Sequence, residues 1–426
     1  MQKQIIRRQQ VPDQHLSGIA HPLIRQIYAC RGIDSMDELV LKTSRLEPVS
    51  SLKGIERACE ILHQAFVKHK KIMVVGDFDA DGATSTALMM EALIMLGSPH
   101  HDFIVPNRFE YGYGLSPEIV DIAVGKGAEI LVTVDNGISC LAGVQRAKDL
   151  GLQVIVTDHH LPGQELPIAD AIVNPNQPGC EFASKSIAGV GVAFYLMLAL
   201  RKYLRDLSWF EQNGLAEPNL AQLLDLVALG TVADVVSLDA NNRILVAQGL
   251  ARIRAGQTRT GIQALIEVSG KNQQRMVASD FGFALGPRIN AAGRLDDMAY
   301  GINCLLARDL MSARTMAIEL DHLNKARREI EQGMQQEAER ILKQLSFDQD
   351  KLPKGIALFQ PDWHQGVIGI VAGRLKEKFH RPSIVFAQAS EDDAQGEASE
   401  FKGSARSIPG LHIRDLLEHI DSQHPG

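Results

Sequence analysis

Four acidic clusters, each following a short apolar run, carry the side chains of this chain that are best suited to catalysis. They are Gly76-Asp77-Phe78-Asp79-Ala80-Asp81-Gly82, Val134-Asp135-Asn136-Gly137, Thr157-Asp158-His159-His160 and Gly230-Thr231-Val232-Ala233-Asp234. Carboxylates and imidazoles bind divalent cations, and two such cations can activate water against a phosphodiester. The clusters therefore predict a metal-dependent phosphoesterase.

The first two clusters each have an alternative without metal. Asp77 and Asp79 are two residues apart in an extended segment, so both side chains can point toward one site, and Asp81 can face it too. The same pattern resembles a calcium loop, but Leu88 stands where such a loop has glutamate. Asp135 closes an apolar strand, where an uncompensated carboxylate is costly. A solvated acidic turn and an Asp-Asn-Gly turn are the respective alternatives.

The third cluster is the most specific of the four. An aspartate followed by two histidines combines a metal ligand, its orienting partner and a proton donor. Two loop histidines without a function are the alternative. Asp234 is weaker alone, because it follows an apolar run and could simply cap a helix or a turn. Together the clusters favour one shared site, and we expect all four at strand ends of one sheet.

Apolar runs alternate with helical patterns from Lys71 onward, which predicts an α/β fold with a parallel, doubly wound sheet. Strands are predicted at 72–75, 103–105, 130–134 and 154–157, with helices at about 83–96, 117–124 and 140–150. Ligands of such sheets bind beyond the carboxyl ends of the strands, where Asp77, Asp135 and Asp158 fall. After residue 176 the pattern predicts helices at about 190–205, 220–229, 242–255 and 260–268.

The same patterns divide the chain into four parts. Residues 1–70 are expected to be an N-terminal extension packing on the core, and 71–308 a catalytic domain with a helical second half. Residues 309–346 are highly charged and lack proline, which predicts a connector helix. A smaller α/β substrate domain follows at 347–426, with strands at 355–359 and 383–386, a helix at about 367–379 and a polar loop at 387–400.

Composition limits the possible settings and partners. The 426 residues are 45% hydrophobic, the net charge is −7 and aromatic residues make up 5%, so nucleic-acid contact should be local and base stacking sparse. The five cysteines are scattered without a C-x-x-C pair, which argues against a disulfide framework and a thiolate zinc site. The longest apolar run is short and interrupted by glycine. We expect a cytoplasmic protein without a membrane segment.

These motifs, in this order, resemble the DHH phosphoesterase superfamily, and in particular its bacterial single-strand-DNA-specific 5′→3′ exonucleases. Pro106-Asn107-Arg108-Phe109, Gly112-Tyr113-Gly114-Leu115-Ser116 and Arg288-Ile289-Asn290-Ala291-Ala292-Gly293-Arg294 add to the resemblance. It implies that Asp77, Asp79, Asp135, His159 and Asp234 bind two Mn²⁺ or Mg²⁺ ions, with Asp135 bridging. His160 would act near the scissile phosphate and Asp158 would orient the histidines. Asp81, which can face the same site, is a further catalytic candidate.

Several basic and polar residues are candidates for substrate binding. Arg108, Arg288 and Arg294 could hold phosphate, because guanidinium matches phosphate geometry, although solvated arginine is the usual alternative. Asn290 lies between two of them in the same motif. Segments 363–369 and 402–407 resemble the substrate domain that accompanies DHH domains. That resemblance implies substrate contacts for His364, Ser404 and Arg406, the last two at the 5′ end.

The resemblance implies an exonuclease that hydrolyses single-stranded DNA by a two-metal mechanism and releases 5′ mononucleotides in DNA repair and recombination. It implies a monomer that works with a single-strand-binding protein and a repair helicase. Relatives continue beyond the position of Gly426 into a Gly-Gly-His segment and an oligonucleotide-binding barrel, so we expect an incomplete substrate domain. The alternatives are a phosphodiesterase for very short oligonucleotides or cyclic dinucleotides, and a non-catalytic scaffold.

Overall fold

A five-stranded parallel sheet forms the centre of the first half of the chain. The computed structural model describes residues 9, 11–111, 113–344, 353–388 and 401–423. The strands are β1 (Ile72–Val75), β2 (His101–Ile104), β3 (Ile130–Val134), β4 (Gln153–Thr157) and β5 (Ala171–Val173), in the order β2-β1-β3-β4-β5. The order reverses between β1 and β3, which leaves a crevice at the carboxyl ends of these neighbours.

The central strands β1, β3 and β4 bury both of their faces, as parallel strands covered by helices do. Ile72, Val74 and Val132 face one hydrophobic core, whereas Met73, Val75 and Leu131 face another on the opposite side. Successive side chains of a strand point to opposite faces, so a continuous apolar run supplies both cores. The predicted doubly wound α/β fold is confirmed.

Helices cover the sheet and form the rest of the larger, N-terminal unit. They are α1 (Pro22–Ala29), α2 (Ile55–Val67), α3 (Ala80–Leu96), α4 (Pro117–Gly125), α5 (Leu141–Asp149), α6 (Gly189–Asp206), α7 (Trp209–Gln212), α8 (Leu224–Ala233), α9 (Ala240–Arg254), α10 (Thr260–Val268), α11 (Ala278–Asp280), α12 (Gly286–Leu295) and α13 (Met298–Leu306). A π-helical turn, Phe281–Leu285, precedes α12. Helix α2 contributes to the larger core, with Ile55, Ile61 and Phe66 buried.

A 35-residue helix, α14 (Leu310–Gln344), leads toward the second α/β unit. That unit contains β6 (Ile356–Phe359), α15 (Ile368–Phe379), β7 (Ser383–Gln388), β8 (Phe401–Arg406) and α16 (Ile413–Gln423). β6 and β7 are parallel, and β8 is antiparallel to β7. Trp363 and Val371 pack with Met334 of α14 in a separate core, so the long helix also belongs to this unit.

Two features of the second unit lie partly outside the described residues. The predicted domain boundary near 346–354 and most of the predicted polar loop at 387–400 fall there, and the four-part division stays a prediction. Strand β8 was not predicted, because Lys402-Gly403-Ser404 is polar and lacks a strand pattern. Among the described residues, no helix is both long enough and apolar enough to cross a bilayer.

Candidate metal centre and nucleic-acid cleft

The acidic loop after β1 is fixed by hydrogen bonds to its own backbone. Asp79 is the N-cap of α3, and its Oδ1 accepts from the N–H groups of Asp81 at 2.9 Å and Gly82 at 3.0 Å. Oδ1 of Asn290 accepts from the N–H of Ala80 at 2.7 Å. Because Asp79 satisfies the first free N–H groups of the helix, α3 begins at Ala80, three residues before its predicted start.

Asp135 follows β3 in a conformation that side chains seldom adopt. Its φ is 63°, in the left-handed region, and the residue is buried. Aspartate tolerates this region better than most residues, and such backbone strain is concentrated at functional sites. The phenol of Tyr113 donates to the Asp135 carbonyl at 3.2 Å. The turn thereby aims the carboxylate into the crevice between β1 and β3.

Asp158, which follows β4, orients one histidine. Its Oδ2 accepts from the N–H of Ile138 at 2.9 Å, and its Oδ1 accepts from the N–H of His159 at 2.7 Å. The same Oδ1 lies 2.7 Å from Nδ1 of His160. The geometry therefore fits an orienting role for Asp158, with its carboxylate turned toward the protein and the His160 ring in a fixed orientation.

Asp234 reaches the site from a helix, and here the expectation of four strand ends is wrong. The residue is the C-cap of α8, and its Oδ2 lies 3.6 Å from Nε2 of His159. The apolar run before it is a buried helix because all of Leu226–Gly230 faces the core of the larger unit. A short apolar run does not distinguish a buried strand from a buried helix.

The ligand atoms of these loops form overlapping groups in which all lie within 4.8 Å of one another. The groups are Asp77, Asp79 and Asp135; Asp81, His159 and Asp234; and Asp135, His159 and His160. Asp135 Oδ1 and His159 Nε2 are 3.1 Å apart, yet neither makes a hydrogen bond. Buried polar atoms normally have partners. The unpartnered oxygen of Asp135 and nitrogen of His159 are therefore suited to binding divalent cations together with the neighbouring carboxylates.

The raised pKa values of the clustered carboxylates also favour a site for divalent cations. Burial, followed by repulsion from Asp79, raises the pKa of Asp77, and burial and Asp81 raise that of Asp135. Burial and Asp234 raise the pKa of Asp81, while burial and Asp79 bring that of Asp234 to about 6. No lysine or arginine of the described segments lies within ion-pair distance of these carboxylates. A divalent cation would supply the missing positive charge.

The two histidines have opposite protonation tendencies. Burial, and then the neighbouring His160, lowers the pKa of His159 to about 4, so its imidazole is neutral, as a metal ligand must be. The hydrogen bond with Asp158 raises the pKa of His160 to about 9, so this ring is protonated at neutral pH. One histidine is suited to holding a metal and the other to donating a proton.

Asp81 has an additional structural role that the sequence did not indicate. Its Oδ2 accepts from the N–H of Gly189 at 2.7 Å, and its Oδ1 from the N–H of Val190 at 3.0 Å, so it also caps α6. A Cβ on Gly189 would lie 2.5 Å from Asp135 Oδ1, and one on Gly230 would lie 2.8 Å from Asp81 Oδ1. These two glycines make room for the carboxylates.

A basic cavity of about 380 Å³ lies between the two α/β units, beside the acidic centre. Arg108, Arg294, Ser404 and Arg406 line it, together with Phe78, Tyr113 and Lys402. Arg108 stacks on Phe78, with its guanidinium carbon 4.1 Å from the ring centre. Burial, and then Arg108, lowers the pKa of Arg294 to about 10, and burial also lowers the pKa of Arg406. These cations are gathered where no described carboxylate pairs with them.

The remaining predicted substrate residues lie in different settings. Arg288 pairs with Asp321 of α14 at 2.8 Å and does not line the basic cavity. Asn290 supports the acidic loop through Ala80. His364 accepts from the N–H of Gly366 at 3.1 Å and packs edge-on against Phe109. Sequence reasoning missed Lys402, whose Nζ donates to the Phe109 carbonyl across the units at 3.2 Å.

Comparisons with known proteins agree with this architecture. Residues 71–231 match the DHH family, N-terminal domain, and residues 352–426 match the DHHA1 domain. The "Single-stranded-DNA-specific exonuclease RecJ" of Escherichia coli is 57% identical over 428 residues, covering all of this chain and 73% of that protein. The RecJ of Bacillus subtilis is 38% identical, covering 95% of this chain and 49% of that protein.

Solved structures give the same result. A crystal structure of exonuclease RecJ bound to manganese is 36% identical, with a TM-score of 0.70, and the match covers 86% of this chain and 85% of that one. RecJ of Thermus thermophilus in complex with Mn²⁺ is 33% identical, with a TM-score of 0.73, covering 92% of this chain and 53% of that one. A Mg²⁺ complex from the same organism has a TM-score of 0.66.

The fold and the acidic centre define a DHH-type phosphoesterase, a metal-dependent hydrolase with a second α/β unit closing the site. Within that class the chain belongs to the RecJ family of exonucleases. It is therefore a metal-dependent nuclease. The catalytic class predicted from the four clusters is confirmed.

Proposed function

We propose that this nuclease degrades single-stranded DNA from its 5′ end and releases 5′ mononucleotides. The observation that carries the proposal is the juxtaposition of two uncompensated charges across one cleft. In the described segments, no lysine or arginine lies within ion-pair distance of the buried carboxylate cluster. Likewise, no carboxylate lies within ion-pair distance of Arg108, Arg294 and Arg406. Metal ions would balance the negative charge of the carboxylates, and a phosphodiester backbone would balance the positive charge of the arginines.

Two divalent cations, Mn²⁺ or Mg²⁺, would share the acidic centre. Asp77 and Asp79 would hold one and His159 and Asp234 the other, with Asp135 between them; the grouping of ligand atoms adds Asp81 to the second set. When bound, the cations would polarise the attacking water and offset charge on the phosphate. Asp158 would fix the ring of His160, and His160 would give its proton to the departing 3′ oxygen.

Polarity would be decided in the basic cavity. Arg406 donates to Ser404 Oγ at 3.2 Å, and Arg294 donates to the Gly366 carbonyl at 3.2 Å, so both guanidinium groups are held at its wall. They would bind the 5′ phosphate, with Arg108 nearer the scissile linkage and His364 behind it. Arg288 is left out because its guanidinium is paired with Asp321. Asn290 would act by positioning the acidic loop.

The decisive experiment uses single and double strands labelled at either end, with Mn²⁺ or Mg²⁺. We expect mononucleotides to leave only from the 5′ end of single strands. Equal degradation of duplexes or of 3′ ends would contradict the proposal, and a preference for dinucleotides over long strands would favour an oligonucleotide phosphodiesterase.

Several expectations from the sequence stay predictions. They are roles in repair and recombination, a cytoplasmic setting, a monomeric state, and partnership with a single-strand-binding protein and a helicase.

A further inference from the structure

A second and larger cavity, of about 690 Å³, shares Arg294 with the basic cavity. Its wall includes Phe283, Arg294, Arg327, Arg328, Glu331 and Arg374, whereas Arg288 is absent from it. Helix α14 supplies three of these residues, α15 supplies Arg374, and Phe283 precedes α12. Because Arg294 lines both cavities, the two form neighbouring compartments of one cleft.

The charge of this larger cavity is strongly positive, although the whole chain is acidic. Glu331 accepts from Arg327 at 2.7 Å and from Arg374 at 3.0 Å, so one buried carboxylate is shared by two guanidinium groups. Arg328 is exposed and has no ion pair with a described carboxylate. Four arginines against one glutamate make a local site for a polyanion, since a concave basic wall focuses its field.

An aromatic ring at the same cavity is largely exposed to solvent. Phe283 is 82% exposed, on a π-helical turn, and such turns recur at functional sites. The chain has few aromatic residues, so one displayed to solvent beside four arginines is a distinctive combination. Arginines that follow a backbone, together with a ring on which bases stack, are what single-stranded nucleic acids require.

The position of this turn connects the cavity to the acidic centre. The turn and α12 pack on the end of α8: a Cβ on Gly286 would lie 3.0 Å from Ala233 Cβ, next to Asp234. Val235, directly after Asp234, is 84% exposed with φ 65°, a strained conformation for a β-branched residue. Asn290 lines the larger cavity and accepts from the N–H of Ala80 in the acidic loop, so this cavity adjoins the acidic centre, whereas the basic cavity is lined by Arg108 and Tyr113.

We propose that the larger cavity holds the strand on the 3′ side of the scissile linkage, with Phe283 stacking on a base and Arg328 contacting a phosphate. The proposal rests on the proposed function, which gives the basic cavity to the 5′ nucleotide. The two compartments would then hold the nucleotides on either side of the scissile linkage, and Arg294 is their common wall. The site would favour strands over dinucleotides, because a dinucleotide reaches one nucleotide beyond the linkage at most.

The test compares kcat/KM for a 5′-phosphorylated strand of about 12 nucleotides with that for a 5′-phosphorylated dinucleotide. In Phe283→Ala and Arg328→Gln we expect the ratio to fall about tenfold, through KM for the longer strand, and Phe283→Tyr should restore it. Met311→Ala, also highly exposed, and Arg340→Gln, further along α14, are matched controls. An unchanged ratio, or an equal loss on both substrates, would overturn the proposal.

Two further measurements distinguish a strand-binding site from a mononucleotide site and from a failure of the proposed polarity. Weaker inhibition by thymidine 5′-monophosphate in Phe283→Ala, with an unchanged length ratio, would identify a mononucleotide site instead and overturn the strand proposal. Binding of the longer strand to Asp135→Asn, measured by fluorescence anisotropy, requires no cleavage. If the Asp135→Asn, Phe283→Ala double variant binds the strand more weakly than Asp135→Asn alone, the strand site is supported even if the proposed 5′→3′ polarity is wrong. Equal binding by the two variants would overturn the strand site.

Discussion

The two walls of the cleft carry opposite charges, and neither the buried carboxylates of one wall nor the arginines of the other form a carboxylate–lysine or carboxylate–arginine ion pair among the described residues. On the sheet side, buried carboxylates crowd together and their pKa values rise. On the opposite side, Arg294 and Arg406 are crowded or buried and their pKa values fall. Both arrangements cost folding free energy. The difference supports the proposed division of roles, in which the sheet side binds cations and carries out the chemistry and the basic side binds phosphates and selects the strand.

The strongest test of the sheet side is Asp135→Asn. Activity should fall about 10³-fold or more, beyond the 10–100-fold typical of residues that merely support a ligand. The metal-free melting temperature should not fall, because the substitution removes a repelled, buried charge, but the rise in melting temperature on adding Mn²⁺ should disappear. Calorimetry and thermal denaturation measure both. Asp121→Asn, on the surface, is the control, and retained Mn²⁺ stabilisation in Asp135→Asn would contradict the assignment.

A second test separates proton donation from metal binding within the sheet side. His160→Gln should lower kcat by about 10²-fold while leaving Mn²⁺ affinity unchanged, because the neighbouring His159 is the proposed ligand. Single-turnover kinetics and Mn²⁺ titration provide the two readouts. A loss of Mn²⁺ affinity would instead place His160 among the ligands, as its grouping with Asp135 and His159 would allow.

The basic side is tested by Arg406→Gln with substrates that differ only in their 5′ end. KM for 5′-phosphorylated strands should rise about tenfold, the equivalent of one charge-assisted hydrogen bond, with kcat little changed. Strands with a 5′ hydroxyl should be almost unaffected. Lys354→Gln, exposed in the same unit, controls for net charge. Equal effects on both kinds of strand would show that Arg406 does not recognise the terminal phosphate.

The smallest effect on activity is expected for Arg288→Gln, which lies outside both walls. The free energy of unfolding should fall by about 1.5 kcal/mol, because Asp321 loses one partner but keeps Lys325 at 2.8 Å. Urea denaturation and steady-state kinetics measure the two quantities. A raised KM with unchanged stability would return Arg288 to the substrate residues and weaken the distinction between the walls and their supports.

The fold and the acidic centre were predictable to different degrees. Strands β1, β3 and β4 and the acidic residues after them could be predicted, because a buried parallel strand is a short apolar run and its end is marked by polar residues. The run before Asp234 was predicted as a helix at about 220–229, close to α8, but Asp234 was still grouped with the strand ends because its cluster, like the others, follows an apolar run. Strand β8 escaped prediction because its side chains are polar, and its pairing with β7 supplies the evidence instead.

The amino-acid sequence by itself determined which residue types are available for chemistry, the alternation of strands and helices, and the order of the acidic clusters along the chain. Only the tertiary structure decided which of them meet. Asp81 shares a ligand group with His159 and Asp234, and Arg288, indistinguishable in sequence from Arg294, is paired with Asp321. The physical reason is that distance between side chains depends on packing across elements far apart in sequence, which local patterns do not encode.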